Sequence, residues 1–291
     1  MKTWLVGYSA DKGGREALAL GATLAQAARG RLVVAAILPQ TWDHPSPAMV
    51  DGEYAAFLQQ HARRSLANAR AALPAGVPAE FLSRHAESAA TGLQALAQET
   101  GADAIVLGSS RKAAPLRFQQ GTVADELLRS ASLPVALAPK GYVPAPAGLR
   151  RVTCAIAPDE GAADLARRAG RIATDLQVPL RLASFVMRDR QMYPTGAGYD
   201  VENLVANHFR AQAQAVHQRI LADWPDPSRP QSVLGDGRRW KDAVAALEWL
   251  QDELLVLGSS RMGGLMRVFV GSNAGKILRH APVPRLILPR L

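Results

Sequence analysis

The sequence predicts an α/β protein made of two tandem, doubly wound, parallel five-stranded sheets, and three observations carry that prediction. The chain has 291 residues, more than a typical domain of ~100–200 and suited to two. It also repeats itself: VLGSSR at Val106–Arg111 recurs at Val256–Arg261, an offset of 150 residues. At the same offset Arg117 meets Arg267, Gly121 meets Gly271, Pro134 meets Pro284 and Pro139 meets Pro289, so each half is one copy of a common fold. Finally, strand-like and helix-like segments alternate through both copies.

In the first copy, Thr3–Tyr8 is a short apolar strand, and Gly14–Arg29 places Ala17, Leu20, Leu24 and Ala28 at helical spacing. Gly30 is the expected helix stop. A β-rich run at Leu32–Leu38 ends at Pro39, and a Pro-rich loop leads to a long helix from Val50 to Leu73. A strand at Glu80–Arg84, a helix at Glu87–Thr100 and a strand at Ala104–Gly108 follow. A helix opening at Thr122 and a strand at Val135–Ala138 close the copy. The second copy has strands near Val152–Ile156, Leu180–Val186, Gln231–Leu234, Glu253–Leu257 and Arg285–Leu288. Its helices fall near Ala162–Asp175, Asp200–Ala222, Lys241–Leu250 and Ser272–His280. Small residues flanked by Pro144 and Pro146 mark the boundary within Gly141–Gly148, giving domains over 1–143 and 149–291.

Composition narrows the function classes. With 48% apolar residues, each half can bury a core. No apolar run approaches the ~20 residues of a membrane span, and residues 7–15 break the N-terminal apolar stretch as a signal peptide would not. A cytoplasmic, non-membrane protein is expected. Cys154 is the single cysteine, so no internal disulfide forms; within an apolar strand it reads as a small core filler. The net charge of +9 is spread as pairs such as Arg63-Arg64 and Arg238-Arg239 on helical segments, and aromatics make up only 5%. That pattern reads as solvated helix faces rather than a nucleic-acid surface.

In a doubly wound sheet, ligands sit beyond the carboxyl ends of the strands where the strand order reverses. The loop after each fourth strand is the informative segment. Gly108 permits a turn directly after its strand, and Gly121-Thr122 then opens a helix; Gly258 and Gly271-Ser272 repeat the arrangement. A glycine at such a helix start lets an anion approach the free backbone amides, which the helix dipole favours. The same residues also serve as plain helix caps, and duplication does not separate the two roles.

The spacing resembles the nucleotide loop of the universal stress protein family: Gly, two residues, Gly, nine residues, then Gly-Ser or Gly-Thr. Gly108 with Gly121-Thr122, and Gly258 with Gly271-Ser272, match its first and last elements. The stretch from Gly258 through Leu278-Arg279-His280-Ala281-Pro282-Val283-Pro284 is similar to the C-terminal end of family members. The resemblance covers both halves. It implies the family fold, also described as adenine-nucleotide alpha hydrolase-like. It further implies a pseudo-dimer within the chain, with Val135–Ala138 pairing against Arg285–Leu288 as fifth strands do across family dimers. It implies ATP or AMP as ligand, with phosphates at Gly121-Thr122 or Gly271-Ser272 and the base near the first strand and Ile37-Leu38.

The sequence also departs from that pattern. The middle glycine is Arg111 in one copy and Arg261 in the other, and each guanidinium either contacts phosphates or fills their place. Where nucleotide-binding members carry an Asp after the first strand, this chain has Ser9 with Asp11 close behind, and Ala157-Pro158 with Asp159 in the second copy. The candidate nucleotide-binding set is therefore Ser9, Asp11, Leu38, Gly108, Arg111, Gly121, Thr122, Gly258, Arg261, Gly271 and Ser272. Other signals are set aside. The run Gly271–Ile277 is one residue short of a P-loop and lies inside a helix. His208 and His217 are nine residues apart on one helix, unlike paired ligands, and no base stands beside a candidate nucleophile. The leading expectation is a non-enzymatic, stress-associated nucleotide-binding protein without a metal. The alternative is a nucleotide-free member acting on an unknown protein partner, as an internal pseudo-dimer or a homodimer. A nucleotidase or nucleotide-dependent ligase is the third.

Overall fold

A computed structural model describes residues 1–40, 51–110, 112–117, 119, 121–187, 198–225, 228–259 and 272–289. The continuously apolar runs become central strands, because a strand covered by helices on both faces has no side left for polar residues. β1 (Thr3–Gly7) and β4 (Ala104–Leu107) are of this kind. β2 (Arg31–Pro39), β3 (Ala79–Ala86) and β5 (Val135–Leu137) complete the first copy with α1 (Lys12–Ala27), α2 (Asp51–Ala72), α3 (Ala89–Thr100) and α4 (Thr122–Ser130). The second copy has strands β6 (Arg151–Ala155), β7 (Leu180–Met187), β8 (Gln231–Gly237), β9 (Glu253–Gly258) and β10 (Arg285–Leu288). Its helices are α5 (Ala162–Asp175), α6 (Gly198–Ala222), α7 (Trp240–Ala245) and α8 (Ser272–His280).

Three boundaries differ from the sequence expectation for physical reasons. α1 starts two residues before Gly14, because the Asp11 carboxylate accepts from Gly14 N at 2.9 Å and caps the helix from further out. It ends through Arg29, which adopts a φ of +47°. Gly30 serves a different need there: a Cβ would lie 2.4 Å from the Lys2 carbonyl oxygen. α7 stops at Ala245 rather than Leu250. Beyond it the Trp249 indole donates to the Val244 carbonyl at 2.7 Å, and Leu250 N donates to the Glu253 carboxylate at 3.0 Å.

All strands join one ten-stranded sheet in the order β3-β2-β1-β4-β5-β10-β9-β6-β7-β8. Pairing is parallel within each half, and β5 meets β10 antiparallel through Leu137–Arg285, Ala136–Leu286 and Val135–Ile287. The expected pseudo-dimer thus forms by fifth-strand pairing, and each half's edge is closed by the other. Two apolar layers run across this seam. One holds Leu20 of α1, Ala136, Ala166 of α5 and Leu286; the other holds Leu93 of α3, Leu137, Leu278 of α8 and Ile287. Alternating residues of β5 and β10 feed opposite layers, as strand geometry requires. Polar ties add to the seam: Lys2 pairs with Asp103 and with Asp175 of α5, each at 3.3 Å, and the Arg117 guanidinium donates to the His280 carbonyl.

Candidate functional site

The strand order reverses between β1 and β4 in the first half and between β6 and β9 in the second. Crossovers leave in opposite directions at such a point, opening a crevice beyond the strand ends. In the first half this crevice is a cavity of about 280 Å³. Gly7 and Leu107 lie at its base, Ala35 and Ile37 of β2 form one side, and Ala89 and Leu93 of α3 form another. Its mouth is bordered by Ser9, Asp11, Gly108 and the start of α4. Burial raises the phenol pKa of Tyr8, another lining residue, so Tyr8 is neutral at pH 7.

Three helices begin around this cavity, and their caps differ. The Asp11 carboxylate closes α1, accepting from Gly14 N and, at 2.7 Å, from the Ser9 hydroxyl. Ser88 closes α3 in a capping box with Thr91, both bonds measuring 3.1 Å. α4 begins behind Gly121, which offers no side-chain acceptor, while Thr122, Val123 and Ala124 line the cavity. The first amides of a helix have no partner within it. The start of α4 therefore differs from those of α1 and α3 in having no N-cap side chain over its first amides.

The preceding loop is held in shape by its own polar groups. Ser110 N donates to the Gln119 carbonyl at 2.9 Å, and Gln119 N donates to the buried Ser109 hydroxyl at 3.0 Å. Lys140, beyond β5, fastens it from outside through Leu116 N to its carbonyl at 2.9 Å and Nζ to the Ala113 carbonyl at 2.7 Å. Gly108 has a role its spacing did not reveal. A Cβ there would sit 1.9 Å from the Gly13 carbonyl oxygen, and one on Gly14 would sit 1.9 Å from the Ser9 carbonyl oxygen. The β1–α1 turn and the loop after β4 thus meet backbone to backbone.

Of the sequence candidates, the structure gathers Ser9, Asp11, Gly108, Gly121 and Thr122 around one cavity. Leu38 is not among its lining residues. It lies on the opposite face of β2 and packs with Ala62 of α2, because side chains alternate along a strand; Ile37 takes the cavity side. Arg111, Arg261 and Gly271 fall outside the described residues; Gly258 ends β9 and Ser272 opens α8. Sequence reasoning missed Tyr8, Ala35, Ala89, Leu93 and the Gly13-Gly14 pair, although two glycines just after a first strand were a readable sign of close approach.

The second half fills the corresponding place differently. Tyr8 N donates to the Ala35 carbonyl and Ile156 N to the Ala183 carbonyl, each at 2.8 Å, so Ile37 corresponds to Phe185. The N-caps Ser88 (φ −131°, ψ 159°) and Arg239 (φ −131°, ψ 157°) superpose in conformation, so Ala89 corresponds to Trp240. Phe185 and Trp240 touch at a ring-centroid distance of 6.3 Å, and the Lys276 ammonium lies 5.4 Å from the indole centroid. Two large rings stand where the first half keeps Ile and Ala beside its cavity. Ala157 and Pro158 supply no hydroxyl in the place of Ser9.

Comparison with known proteins agrees with the architecture and the duplication. The model of the universal stress protein family matches twice, over residues 1–139 and 148–289. Universal stress proteins of Mycobacterium tuberculosis and Mycobacterium bovis are each 36% identical over 292 aligned residues, covering 99% of this chain and of theirs. A universal stress protein of Archaeoglobus fulgidus shares the fold with a TM-score of 0.63 at 15% identity, covering 99% of this chain and 98% of that one. With a duplicated family match across nearly its whole length, the chain belongs to the universal stress protein family.

Proposed function

We propose that the protein is a regulatory, non-catalytic member of its family that binds one adenine nucleotide per chain, in the first half. The observation that carries this reading is the α4 start: a helix with no side-chain cap among the described residues, opening into the switch-point cavity. In this reading the phosphates sit on the amides behind Gly121 and Thr122, and the base lies against Ala35, Ile37, Ala89 and Leu93. The choice of the first half is supported by the contact of Phe185 with Trp240, two large rings at the places matching Ile37 and Ala89. Division into units at 1–143 and 149–291 is part of the same reading, and the two stretches matching the family model support it.

Calorimetric titration with ATP and with AMP tests the proposal. One equivalent per chain is expected, and absence of heat at millimolar ligand removes the nucleotide. Gly121→Asp sharpens the test. Gly121 has an extended backbone (φ −94°) and, among the described residues, only Ser110 Cβ, at 4.0 Å, near its Cβ direction, so its backbone accepts a side chain without strain. The new carboxylate caps α4 itself, raising stability by a few tenths of a kcal/mol at most, and competes with the ligand. At least a tenfold loss of affinity is expected, roughly 1.4 kcal/mol. Unchanged affinity in this variant would place the phosphates elsewhere.

A second reading, a nucleotide-free protein acting through protein contacts, is favoured by one observation. The Ser9 hydroxyl donates to the Asp11 carboxylate, and the same carboxylate oxygen accepts from Gly14 N, so both side chains are engaged in capping α1. Under that reading Gly121→Asp leaves function in stressed cells intact.

A further inference from the structure

The α3–α4 surface and its duplicate, the α7–α8 surface, lie on the same side of the sheet, since both feed the same apolar layer. The cap correspondence of Ser88 with Arg239 aligns Glu87 with Arg238. The offset of 150 residues aligns Asp125 with Gly275, Glu126 with Lys276 and Ser130 with His280. At these four matched places, an acidic or neutral group in the first half has become basic or lost its carboxylate in the second, while Arg129 is matched by Arg279 and Thr91 by Asp242.

On the first-half surface Glu87 and Glu126 are exposed, and Glu126 accepts from the Ser88 hydroxyl at 2.8 Å. Asp125 pairs there with Arg129 at 3.0 Å. On the second-half surface Arg238, Arg239, Lys241, Lys276 and Arg279 are all exposed, with Asp242 as a nearby carboxylate. Among the described residues, none of these five cations has an ion-pair partner. They are close in space: Lys276 lies over Trp240, and α7 packs on α8. His280 shows the crowding, since burial and then the charges of Arg117, Arg279 and Lys241 hold it below its ordinary range.

Cations gathered in excess over carboxylates repel, and that repulsion is relieved when an oppositely charged surface meets them. The chain carries such a surface itself. We propose that the basic α7–α8 face docks the acidic α3–α4 face of a second copy of this chain. The pairing is self-complementary. Because β5 and β10 run antiparallel, the two patches lie at opposite ends along the strand direction as well as in opposite halves. A twofold axis lying between the stacked copies and perpendicular to the line joining the two patches sets each acidic patch on the other copy's basic patch, so the contact forms twice and the assembly closes as a dimer. Charged rims of this kind are screened by salt, so the dimer belongs to low ionic strength.

Sedimentation at about 50 mM and about 500 mM salt reads the assembly directly. The wild-type chain is expected to sediment at twice its 31.0 kDa at low salt and as a monomer at high salt. Two charge-reversed variants provide the decisive arm. Arg238→Glu/Arg239→Glu/Lys276→Glu makes both faces acidic, and Glu87→Arg/Glu126→Lys makes both basic. Each is expected to be monomeric alone, while an equimolar mixture regains the dimer. All five positions are exposed, so folding is unaffected, as a thermal melt of each variant checks. A monomeric wild type at low salt overturns the proposal, as does a dimer that either variant keeps. Binding of short DNA or anionic vesicles by a monomeric wild type, lost in the acidic variant, overturns it in favour of a polyanion partner.

Discussion

The two halves place different chemistry on matching scaffolds. At the amino ends of the central strands, the first half sets Asp103 against Lys2, with side chains 38% and 41% exposed. The second half sets Glu253 at the matching position, fully buried, between Arg181 at 2.8 Å and Arg151 at 2.7 Å. The Thr153 hydroxyl and Leu250 N also donate to this carboxylate. At the carboxyl ends the contrast reverses: the first half keeps a cavity where the second sets Phe185 against Trp240. Duplication preserved the sheet and freed each copy to specialise, one around an open crevice and the other around buried polar networks.

The largest expected effect breaks the second half's ion cluster. Glu253→Ala leaves Arg181, only 4% exposed, without its carboxylate, and burial already holds that guanidinium below its ordinary range. Removing one partner of a buried pair costs about 3–5 kcal/mol. The matched change Asp103→Ala removes an exposed pair, whose loss costs about 0–1 kcal/mol, together with an acceptor for Thr3 N at 2.8 Å. Chemical denaturation of both variants measures the difference. Equal losses would mean that Glu253 gains nothing from its surroundings.

A second contrast is sensitive to pH. His217 is 1% exposed and lies between Ser184 at 2.9 Å and Ser232 at 2.7 Å. The Ser184 hydroxyl donates to the Ile156 carbonyl at 2.6 Å, so it accepts from Nε2–H, and Nδ1 accepts from Ser232. The imidazole is thus neutral with both nitrogens satisfied, and burial lowers its pKa from 6.5 to about 4. The unfolded chain takes up the proton first on acidification. Stability is therefore complete above pH 6.5 and falls as the pH drops towards 4, by up to about 3 kcal/mol. In the first half, Ala36, the match of Ser184, belongs to a small apolar cluster with Leu38 and Ala62 against which Leu66 packs, with no titrating group in that cluster among the described residues. Ser184→Ala/His217→Leu should flatten the acid limb of stability across this window. A limb of unchanged steepness would assign the acid sensitivity to other groups.

How far the sequence reaches follows from the same contrasts. Strands such as Ile105–Leu107 and helices such as Ala162–Asp175 were legible, because apolar periodicity and a constant offset report burial directly, whereas the fifth-strand seam was legible only through the family resemblance. The cavity was legible at its mouth, where Gly121-Thr122 and Ser9 lie close to turn signals. Its walls were not. Ala35, Ala89 and Leu93 look like any core residues, and only strand register and helix placement bring them to a common space. The fates of Phe185 and Glu253 were equally hidden, since a large ring or a carboxylate at a strand end acquires meaning from its neighbours across the sheet.

Gly108 and Gly258 make the finest comparison, because they are the same residue at the same place in the repeat. A Cβ on Gly108 would meet the Gly13 carbonyl oxygen at 1.9 Å, which only backbone movement relieves. A Cβ on Gly258 would meet Leu165 Cδ2 at 3.1 Å, the far end of a side chain that can rotate. Gly108→Ala should therefore cost about 1–3 kcal/mol, in the range of overpacked cores. It should also push the β1–α1 turn away from the loop after β4 and weaken any ligand held in the first-half cavity. Gly258→Ala should fall within about 0.5 kcal/mol of the parent, as tolerated substitutions do. Thermal melts of the two variants decide the matter. If Gly258→Ala proves the more damaging, the duplicated glycine is kept for its turn rather than for close approach, and the seam between the two loops is not what holds the cavity open.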